Sequence, residues 1–186
     1  MVATRSILAV FAVIAVSLCL AADPARAASD STATITGSQQ GLIQGDGLNI
    51  KGASNGAIVV AAVGFGLDIP VSGPGGVAGK PVTKPFTLVK MPDKASPKLL
   101  RAAFTGEHLT VDITWFMTDP LVGRKKTFSI TLEGAIIITM DTGGTVLQDA
   151  GVSEQITLSY SKITFRDERT VPATTVCLDI AAGQAC

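Results

Sequence analysis

Apolar and polar residues alternate along most of this 186-residue chain, and the alternation is most regular in its second half. Side chains at every second position share one face of an extended strand, so this pattern predicts β-strands with one buried face. The regular stretches are Leu109–Trp115, Phe128–Leu132, Ile136–Met140 and Ile156–Tyr160, followed by a one-residue phase shift to Ile163 and Phe165. Glu133-Gly134-Ala135 interrupts the pattern between the second and third stretches.

The first half alternates less regularly and contains more glycine. Ala57–Ile69 is a long apolar run rich in β-branched residues and broken by Gly64 and Gly66, which predicts a buried strand with a bulge or bend. Ser72–Lys80 has the composition of a flexible loop. Further strands are predicted at Thr32–Thr36, at Leu42–Gln44 and Leu48–Lys51 around the turn 45–47, and at Lys84–Lys90.

One segment has helical features, and we predict a helix at about 97–105. Ser96 can accept hydrogen bonds from free backbone N–H groups, Pro97 suits a first helical turn, and Gly106 can adopt the left-handed conformation that ends a helix. The expected inward face is apolar and consists of Leu99, Leu100, Ala103 and Phe104. The predicted fold is therefore mainly β, a compact antiparallel β-barrel or two-sheet sandwich with one flanking helix.

Residues 1–27 have the features of a secretory signal peptide. Arg5 precedes the uncharged run Ser6–Ala22, and Ala25-Arg26-Ala27 provides small residues for cleavage after Ala27. The alternative is a transmembrane anchor, which requires about 20 apolar residues. Leu18 stands before Cys19 where a lipoprotein signal needs a small residue, which argues against lipidation.

Composition and charge exclude several classes of protein. The chain has 15 basic and 15 acidic residues, 16% charged and 5% aromatic residues, and removal of residues 1–27 leaves 13 basic and 14 acidic ones. This balance argues against a nucleic-acid surface, and the apolar content excludes a disordered chain. The remaining 159 residues suffice for one domain with its own core.

Two cysteines, Cys177 and Cys186, remain after cleavage. In an oxidising compartment such a pair is typical of a disulfide, and the alternatives are two free thiols or a bridge between subunits. We predict a signal peptide at 1–27, a barrel domain at 28–168 and a C-terminal extension with the cysteine pair at 169–186.

The stretches that could be motifs for catalysis, cofactor binding or metal binding lack residues that such sites require. His108 is the sole histidine and has no nucleophile motif beside it, so we interpret it as a loop or strand-entry residue. The stretch Gly73–Lys80 is not a phosphate-binding loop, because Pro74 and Pro81 occupy two of the required positions. One histidine and two distant cysteines supply no metal ligand set. The basic triplet Arg124-Lys125-Lys126 is interpreted as a solvated hairpin turn.

Several stretches in the middle and C-terminal third resemble one known family. They are Pro85–Lys90, Asp93-Lys94-Ala95-Ser96-Pro97-Lys98-Leu99, Thr105–His108, Phe128–Ile137, Thr142-Gly143-Gly144 and Glu154-x-Ile156-x-Leu158-x-Tyr160-x-Lys162-Ile163. Their joint order is similar to that of the haemolysin-coregulated protein (Hcp) family, the inner-tube subunits of bacterial type VI secretion. The resemblance covers about Lys84–Phe165, roughly half of the chain without its leader.

The resemblance implies a β-barrel with one helix that assembles into hexameric rings, stacked into a tube. It implies a structural protein and not an enzyme, without a cofactor. Its partners would be other copies of itself, with secretion-system components or passenger proteins, and neither nucleic acid nor, after signal cleavage, a membrane. The residues that carry the resemblance are assigned structural roles: Pro85, Phe86, Asp93, Lys94, Ser96, Pro97, Gly106, Glu133, Glu154, Tyr160 and Ile163.

Three features depart from the family pattern. Tube subunits normally lack a cleavable signal peptide, whereas residues 1–27 would direct this chain to the periplasm or the medium. The segment Ser31–Lys80 lacks the usual acidic opening, and Val171–Cys186 extends past the last barrel strand. The leading hypothesis is an exported ring-forming tube protein. The alternatives are a stand-alone exported binding module that builds no tube and, as a weaker idea, a hydrolase built around His108.

Overall fold

A computed structural model describes residues 29–47, 54–119, 123–143 and 151–186. The predicted signal peptide and its cleavage site at Ala27 lie outside these residues, as does the predicted strand Leu48–Lys51. The first elements are β1 (Ser29–Gly37), β2 (Gly41–Ile43), β3 (Ile58–Gly64), β4 (Leu67–Asp68), β5 (Val71–Ser72), β6 (Gly76–Val77), β7 (Val82–Thr83) and β8 (Phe86–Lys90). They are followed by α1 (Ser96–Thr105), β9 (Leu109–Asp119), β10 (Gly123–Gly143), β11 (Ser153–Ser159), β12 (Lys162–Asp167), β13 (Thr174–Asp179) and β14 (Gln184–Ala185).

The main sheet is antiparallel and closes on itself through its longest strand. Strand order runs β11-β8-β3-β1-β9-β10, and β10 pairs again with β11. β12, β13 and β14 continue sideways from the first half of β10, and β2 pairs with β1. The prediction of a mainly antiparallel β fold with one helix is confirmed, in the form of a closed circuit with a lateral sheet.

The core fills the closed circuit and follows the predicted alternation. In β9, Val111 and Ile113 are fully buried, and in β10 Leu132 is fully buried while Ile130 is nearly so. The other large apolar side chains that are fully buried come from six strands and the helix: Ile35, Ile43, Ile58, Phe86, Leu88, Leu99, Leu109, Ile156 and Leu158. Period-two patterning therefore placed the side chains of β9, β11 and the first half of β10 on the correct face. It was wrong for Ile136–Met140, where Ile137 is 5% exposed and Ile138 is 51% exposed, because the interruption at 133–135 changes which alternate positions face the core.

Helix α1 ends as predicted but begins differently. Gly106 adopts the left-handed conformation (φ 63°), and N–H groups at this end donate to the carbonyls of Ala102 and Ala103. The prediction of Ser96 as the cap was wrong, because Ala95 is the capping residue and no side chain caps the helix, whereas Pro97 lies in the first turn as predicted. The Ser96 hydroxyl instead accepts a hydrogen bond from the Asp93 N–H at 3.0 Å.

The predicted inward face of α1 was wrong at two of its four positions. Leu99 is fully buried and Ala103 packs against the core, but Leu100 and Phe104 are 60% and 93% exposed. Ala102, which was not predicted to face inwards, is fully buried. Small alanines let the helix approach the sheet closely, so its outward face carries the larger side chains.

The prediction of a buried strand across Ala57–Ile69 was wrong beyond Val60. The register against β8 shifts between Val60 and Ala62, as the expected bulge requires, but Leu67 and Ile69 are 41% and 51% exposed. Residues 67–83 fold into an arm of two short ladders, β4–β7 and β5–β6. Its turn contains Gly73 and Gly75 at positive φ, a conformation that glycine adopts without strain.

The predicted interruption at 133–135 lies within one continuous strand. β10 runs through it for 21 residues, and the register against β9 shifts between Leu132 and Ala135. Gly134 has a positive φ of 59° there, so the strand bends without ending.

The C-terminal segment extends the lateral sheet. β13 pairs with β12 from Asp167↔Thr174 to Lys162↔Asp179, and β14 folds back on β13. A disulfide joins Cys177 to Cys186, whose Cα atoms are 5.3 Å apart. Within the described ranges, no helix has the length and apolar character needed to span a membrane.

Candidate functional site

Residues from three separate family-like stretches meet in a buried ionic cluster, which consists of Lys90, Asp93, Ser96 and Glu154. The Lys90 ammonium lies 2.6 Å from Glu154 Oε2 and 2.9 Å from Asp93 Oδ1. It also donates to the Ser96 hydroxyl at 2.9 Å, and that hydroxyl lies 2.7 Å from Glu154 Oε2. Lys90 is fully buried and Glu154 is 4% exposed.

The ionic cluster ties three elements together. Lys90 ends β8, Ser96 begins α1 and Glu154 lies in β11, so one ammonium group fixes the helix onto the barrel. A lysine this deeply buried is tolerated only when its charge is paired and its donors are used. Its Nζ meets that condition, since it also donates to the Met91 carbonyl at 2.8 Å.

Sequence reasoning did not assign Lys90 a role. The sequence did contain an indication of this role, because Lys90 continues the alternate positions of Phe86 and Leu88 in one strand. All three side chains are buried. A charged residue at an inward position of a strand indicates a buried partner of opposite charge. One such partner, Asp93, is only three positions away, but the other, Glu154, lies 64 positions away in the sequence and only the fold identifies it.

A second buried carboxylate, Glu107, organises the turn after β1. Its Oε1 accepts hydrogen bonds from the backbone N–H groups of Gln39 and Gln40 at 2.6 and 2.8 Å, and the Gln40 side chain donates to Oε2 at 2.8 Å. A Cβ atom at Gly37 would overlap Oε1, so a larger residue there would have to displace the Glu107 carboxylate.

Glu107 is held in its ionised form. Burial by itself raises the pKa of Glu107, but the hydrogen bonds from Gln40 and Gln39, together with the nearby charge of Arg101, outweigh it and lower that pKa below its ordinary value. This carboxylate is 2% exposed and serves as an acceptor for the chain around it, a structural role.

The other residues that carry the family resemblance are distributed over the barrel. Tyr160 donates to the Lys84 carbonyl at 3.1 Å, which attaches the base of the arm to the end of β11, and burial raises the pKa of its hydroxyl. Phe86 and Ile163 are fully buried core residues. Glu133 and Lys94 form exposed ion pairs with Lys162 and Asp46, at 3.7 and 3.5 Å. Pro85 and Pro97 are exposed.

An aromatic groove lies where the lateral sheet leaves the barrel. It has a volume of about 430 Å³. It is lined by Val63, Trp115, Met117, Thr127, Phe128, Ile130 and Arg169. The ring centroids of Trp115 and Phe128 are 5.7 Å apart, and Phe165 continues the row at 6.3 Å from Phe128. This surface is open to solvent, since Met117 is 48% exposed.

A second concavity, which we call the C-terminal cleft, separates the arm from the disulfide-linked hairpin. Its volume is about 270 Å³, with Leu67 and Pro81 on the arm side and Leu178, Ile180 and Ala185 on the hairpin side. The disulfide holds β14 in place as one wall of this cleft.

Two further predictions concern single polar residues. His108 is exposed at the entry to β9, where its carbonyl accepts a hydrogen bond from the Ser38 N–H at 2.9 Å. The interpretation of Arg124 as part of a solvated turn was wrong: its side chain is 11% exposed, pairs with Asp30 at 3.2 Å and stacks 4.3 Å from the centre of the Phe116 ring. In the part of the chain that the structure describes, no three His, Cys, Asp or Glu side chains are placed to hold a metal ion.

Comparison with known proteins gives a consistent result. The family model described as "Type VI secretion system effector, Hcp" matches residues 33–166. The "Major exported protein" of Pseudomonas aeruginosa is 32% identical over 149 residues, which cover 73% of this chain and 87% of that protein.

Solved structures match over nearly their full length. One described as Hcp protein has a TM-score of 0.71 at 28% identity, with 82% of this chain and 98% of that chain covered. The secreted protein Hcp3 of Pseudomonas aeruginosa has a TM-score of 0.62 at 29% identity, with the same coverage. The match in sequence, fold and extent identifies this chain as a member of the Hcp family of type VI secretion proteins.

Proposed function

We propose that this chain is an exported structural protein that assembles with copies of itself into rings of the tube-subunit type. The observation that carries the proposal is the match to a solved Hcp chain over 98% of its length, which means that the entire fold of that protein is present here. The Hcp family consists of secreted structural tube proteins and not of enzymes. Export agrees with the name of the Pseudomonas aeruginosa relative, "Major exported protein".

The surface supports self-association. Leu100 and Phe104 lie one helical turn apart on the exposed side of α1 and are 60% and 93% exposed, and Met117 in β9 is 48% exposed. Exposed apolar patches mark interaction surfaces. Exposed apolar side chains on two separate elements suit a head-to-tail contact, which closes into a ring when the rotation between subunits permits it.

The test is size-exclusion chromatography with light scattering on the chain that begins at Ala28, followed by electron microscopy. We expect a closed oligomer at tens of micromolar and ring-shaped particles, with the hexamer implied by the family. A strict monomer at that concentration would overturn the proposal. The double variant Cys177→Ala/Cys186→Ala is the matched control: its assembly should be unchanged, because the disulfide lies within one chain.

The second candidate is a stand-alone exported binding module, and the C-terminal cleft is the observation that favours it. Its lining is mostly apolar and its wall is covalently held, as a preformed binding site requires. A monomeric protein found free in the periplasm or the medium of its host, without rings, would support this candidate over the first.

A further inference from the structure

The C-terminal cleft has one wall that lies beyond the part of the chain matched by the family model. That model matches residues 33–166, whereas β13 and β14 follow at 174–179 and 184–185. The opposite side of the cleft comes from the arm, through Leu67 and Pro81. The cleft is therefore completed by a hairpin that this chain adds after the matched region.

The first strand of this hairpin is anchored firmly to the barrel. β13 pairs with β12 at six positions. Leu178 and Ile180, which line the cleft, also pack against the core, and the Ile180 N–H donates to the Ser161 carbonyl at 2.8 Å. This side of the cleft is thus held in place independently of the last residues of the chain.

The second strand, β14, has few noncovalent contacts to hold it. It pairs with β13 at two positions, and the Cys186 N–H donates to the Cys177 carbonyl at 3.2 Å. The Asp179 carboxylate accepts a hydrogen bond from the Ala182 N–H at 2.8 Å, and residues 181–186 are all exposed. Isolated two-stranded hairpins are marginally stable in water, and chain ends fray unless they are tied down. The disulfide is therefore the contact that keeps β14 on β13.

The two sulfur atoms are placed for exchange with thiols in solution, since Cys186 is exposed and Cys177 is half-buried. A dissolved dithiol attacks the disulfide as a thiolate and ends as a disulfide itself, so that two electrons and two protons pass to the cysteine pair, which becomes two thiols. A disulfide oxidant reverses the exchange. Such pairs stay reduced in the cytosol and become oxidised in the periplasm or outside the cell.

We propose that Cys177 and Cys186 form a redox switch that controls the C-terminal cleft. As two thiols they release β14, and the cleft loses the wall formed by residues 183–185, while Leu178 and Ile180 stay on the barrel. As a disulfide they hold this wall in place and the cleft is complete. An exported chain thus gains the cleft only after it leaves the cytosol. The inference rests on the cleft of the second candidate function and names its regulation.

Methyl NMR with a soluble gadolinium chelate tests the switch directly. In the ¹³C-methyl-labelled protein, paramagnetic relaxation of the Leu178 and Ile180 methyls is compared with the disulfide intact and after dithiothreitol. We expect the rates to rise about twofold or more on reduction, because a frayed β14 no longer covers these methyls, and to return on reoxidation. Ile113, fully buried in the barrel, is the internal reference and should not change.

Unchanged rates at Leu178 and Ile180 would overturn the proposal. A parallel rise at Ile113 would overturn it too, since reduction would then loosen the whole barrel. The variant Cys177→Ala/Cys186→Ala separates the bond from the reagent: it should give the high rates with and without dithiothreitol. If this variant gave the rates of the oxidised protein, the noncovalent contacts of β14 would be sufficient and the switch would not exist.

The oligomeric state and the switch are measured on the same samples by adding light scattering. Unresponsive methyls in a closed oligomer would contradict this inference alone, whereas responsive methyls in a strict monomer would contradict the ring proposal alone. The test needs no ligand, so failure of the switch and failure of the binding module are separate outcomes.

Discussion

Glu154 and Glu107 are both buried carboxylates, but the molecule stabilises them by opposite means. Glu154 meets a full positive charge, the Lys90 ammonium at 2.6 Å, with the Ser96 hydroxyl beside it. Glu107 meets neutral donors, two backbone N–H groups and the Gln40 amide.

The difference follows from what each location offers. Glu154 lies in β11, between β8 and β10, where the backbone N–H groups are engaged in strand pairing, so a side chain has to supply the partner. Glu107 faces the turn after β1, where the N–H groups of Gln39 and Gln40 have left the ladder and are free to donate. Where the backbone N–H groups are used in strand pairing, a buried carboxylate needs a cationic side chain. Where the chain turns, free backbone N–H groups are sufficient to stabilise it.

Replacing the cation should have the largest effect. Lys90→Met leaves Glu154 and Asp93 buried without a countercharge, which costs about 3–5 kcal/mol of the free energy of unfolding. Chemical denaturation followed by far-UV circular dichroism measures the loss. The double variant Lys90→Met/Glu154→Met should recover part of it, since it removes the uncompensated charge. A loss below about 1 kcal/mol in the single variant, the range of exposed ion pairs, would show that the cluster is not the buried pair described here.

Replacing the second carboxylate by its amide should have a smaller effect. Glu107→Gln keeps the shape but turns one acceptor into a donor that faces other donors, which costs about 1–3 kcal/mol. The matched control is Glu133→Gln, whose side chain is half exposed, and its unfolding free energy should change by less than about 0.5 kcal/mol. Equal changes in the two variants would contradict the role given to Glu107.

The pH dependence should separate the two carboxylates further. The pKa of Glu107 is lower in the folded protein than in the unfolded chain, so its stabilising contribution is complete above its ordinary pKa of about 4.3. This stabilising contribution disappears as the pH falls through the lower pKa that Glu107 has in the folded protein, because the unfolded chain binds its proton at a higher pH.

We therefore expect the stability difference between the wild-type protein and Glu107→Gln to be constant near neutrality and to shrink below about pH 4. Denaturation series at several pH values measure it. The Arg169 guanidinium lowers the pKa of Asp167 to about 2. Asp167 titrates in both proteins, so its contribution to the pH dependence cancels when their stabilities are subtracted. A difference that grows on acidification would refute the sign assigned here.

Removal of one hydroxyl should have the smallest effect. Ser96→Ala deletes a group that contacts both Lys90 and Glu154 but leaves their ion pair in place, so we expect a loss of about 1 kcal/mol. If Ser96 were instead the helix cap, the loss would appear equally in a Lys90→Met background. Double-mutant analysis thus decides between the two roles, because coupling is expected only within the ionic cluster.

The sequence predicted the strands of the second half and the helix because these depend on local periodicity. Val111, Ile113, Ile130 and Leu132 alternate strictly, and Gly106 ends the helix where its conformational freedom is required. The family-like residues were also recognised in the sequence, but as separate stretches. That Lys90, Ser96 and Glu154 form one cluster depends on the pairing of β8 with β11, which no local pattern encodes.

Other predictions were wrong where one local pattern is compatible with two structures. Leu99, Leu100, Ala103 and Phe104 cluster on a helical wheel, but the sheet beneath accepts only one side of that cluster, and Phe104 points outwards. Ala57–Ile69 is apolar except for Asp68, yet only its first residues lie over the core. The remainder enters the arm, whose exposed valines and isoleucine have no cover within the described part of the chain.

The continuity of β10 has a mechanical consequence. A single 21-residue strand pairs with β9 of the closed circuit and with β12 of the lateral sheet in its first half, and with β11 in its second half, with a bend at Gly134 in place of a loop. A load applied to the lateral sheet must therefore pass along a covalent backbone into the barrel wall, without a joint at which it could be relaxed. The molecule should therefore yield as one body under tension.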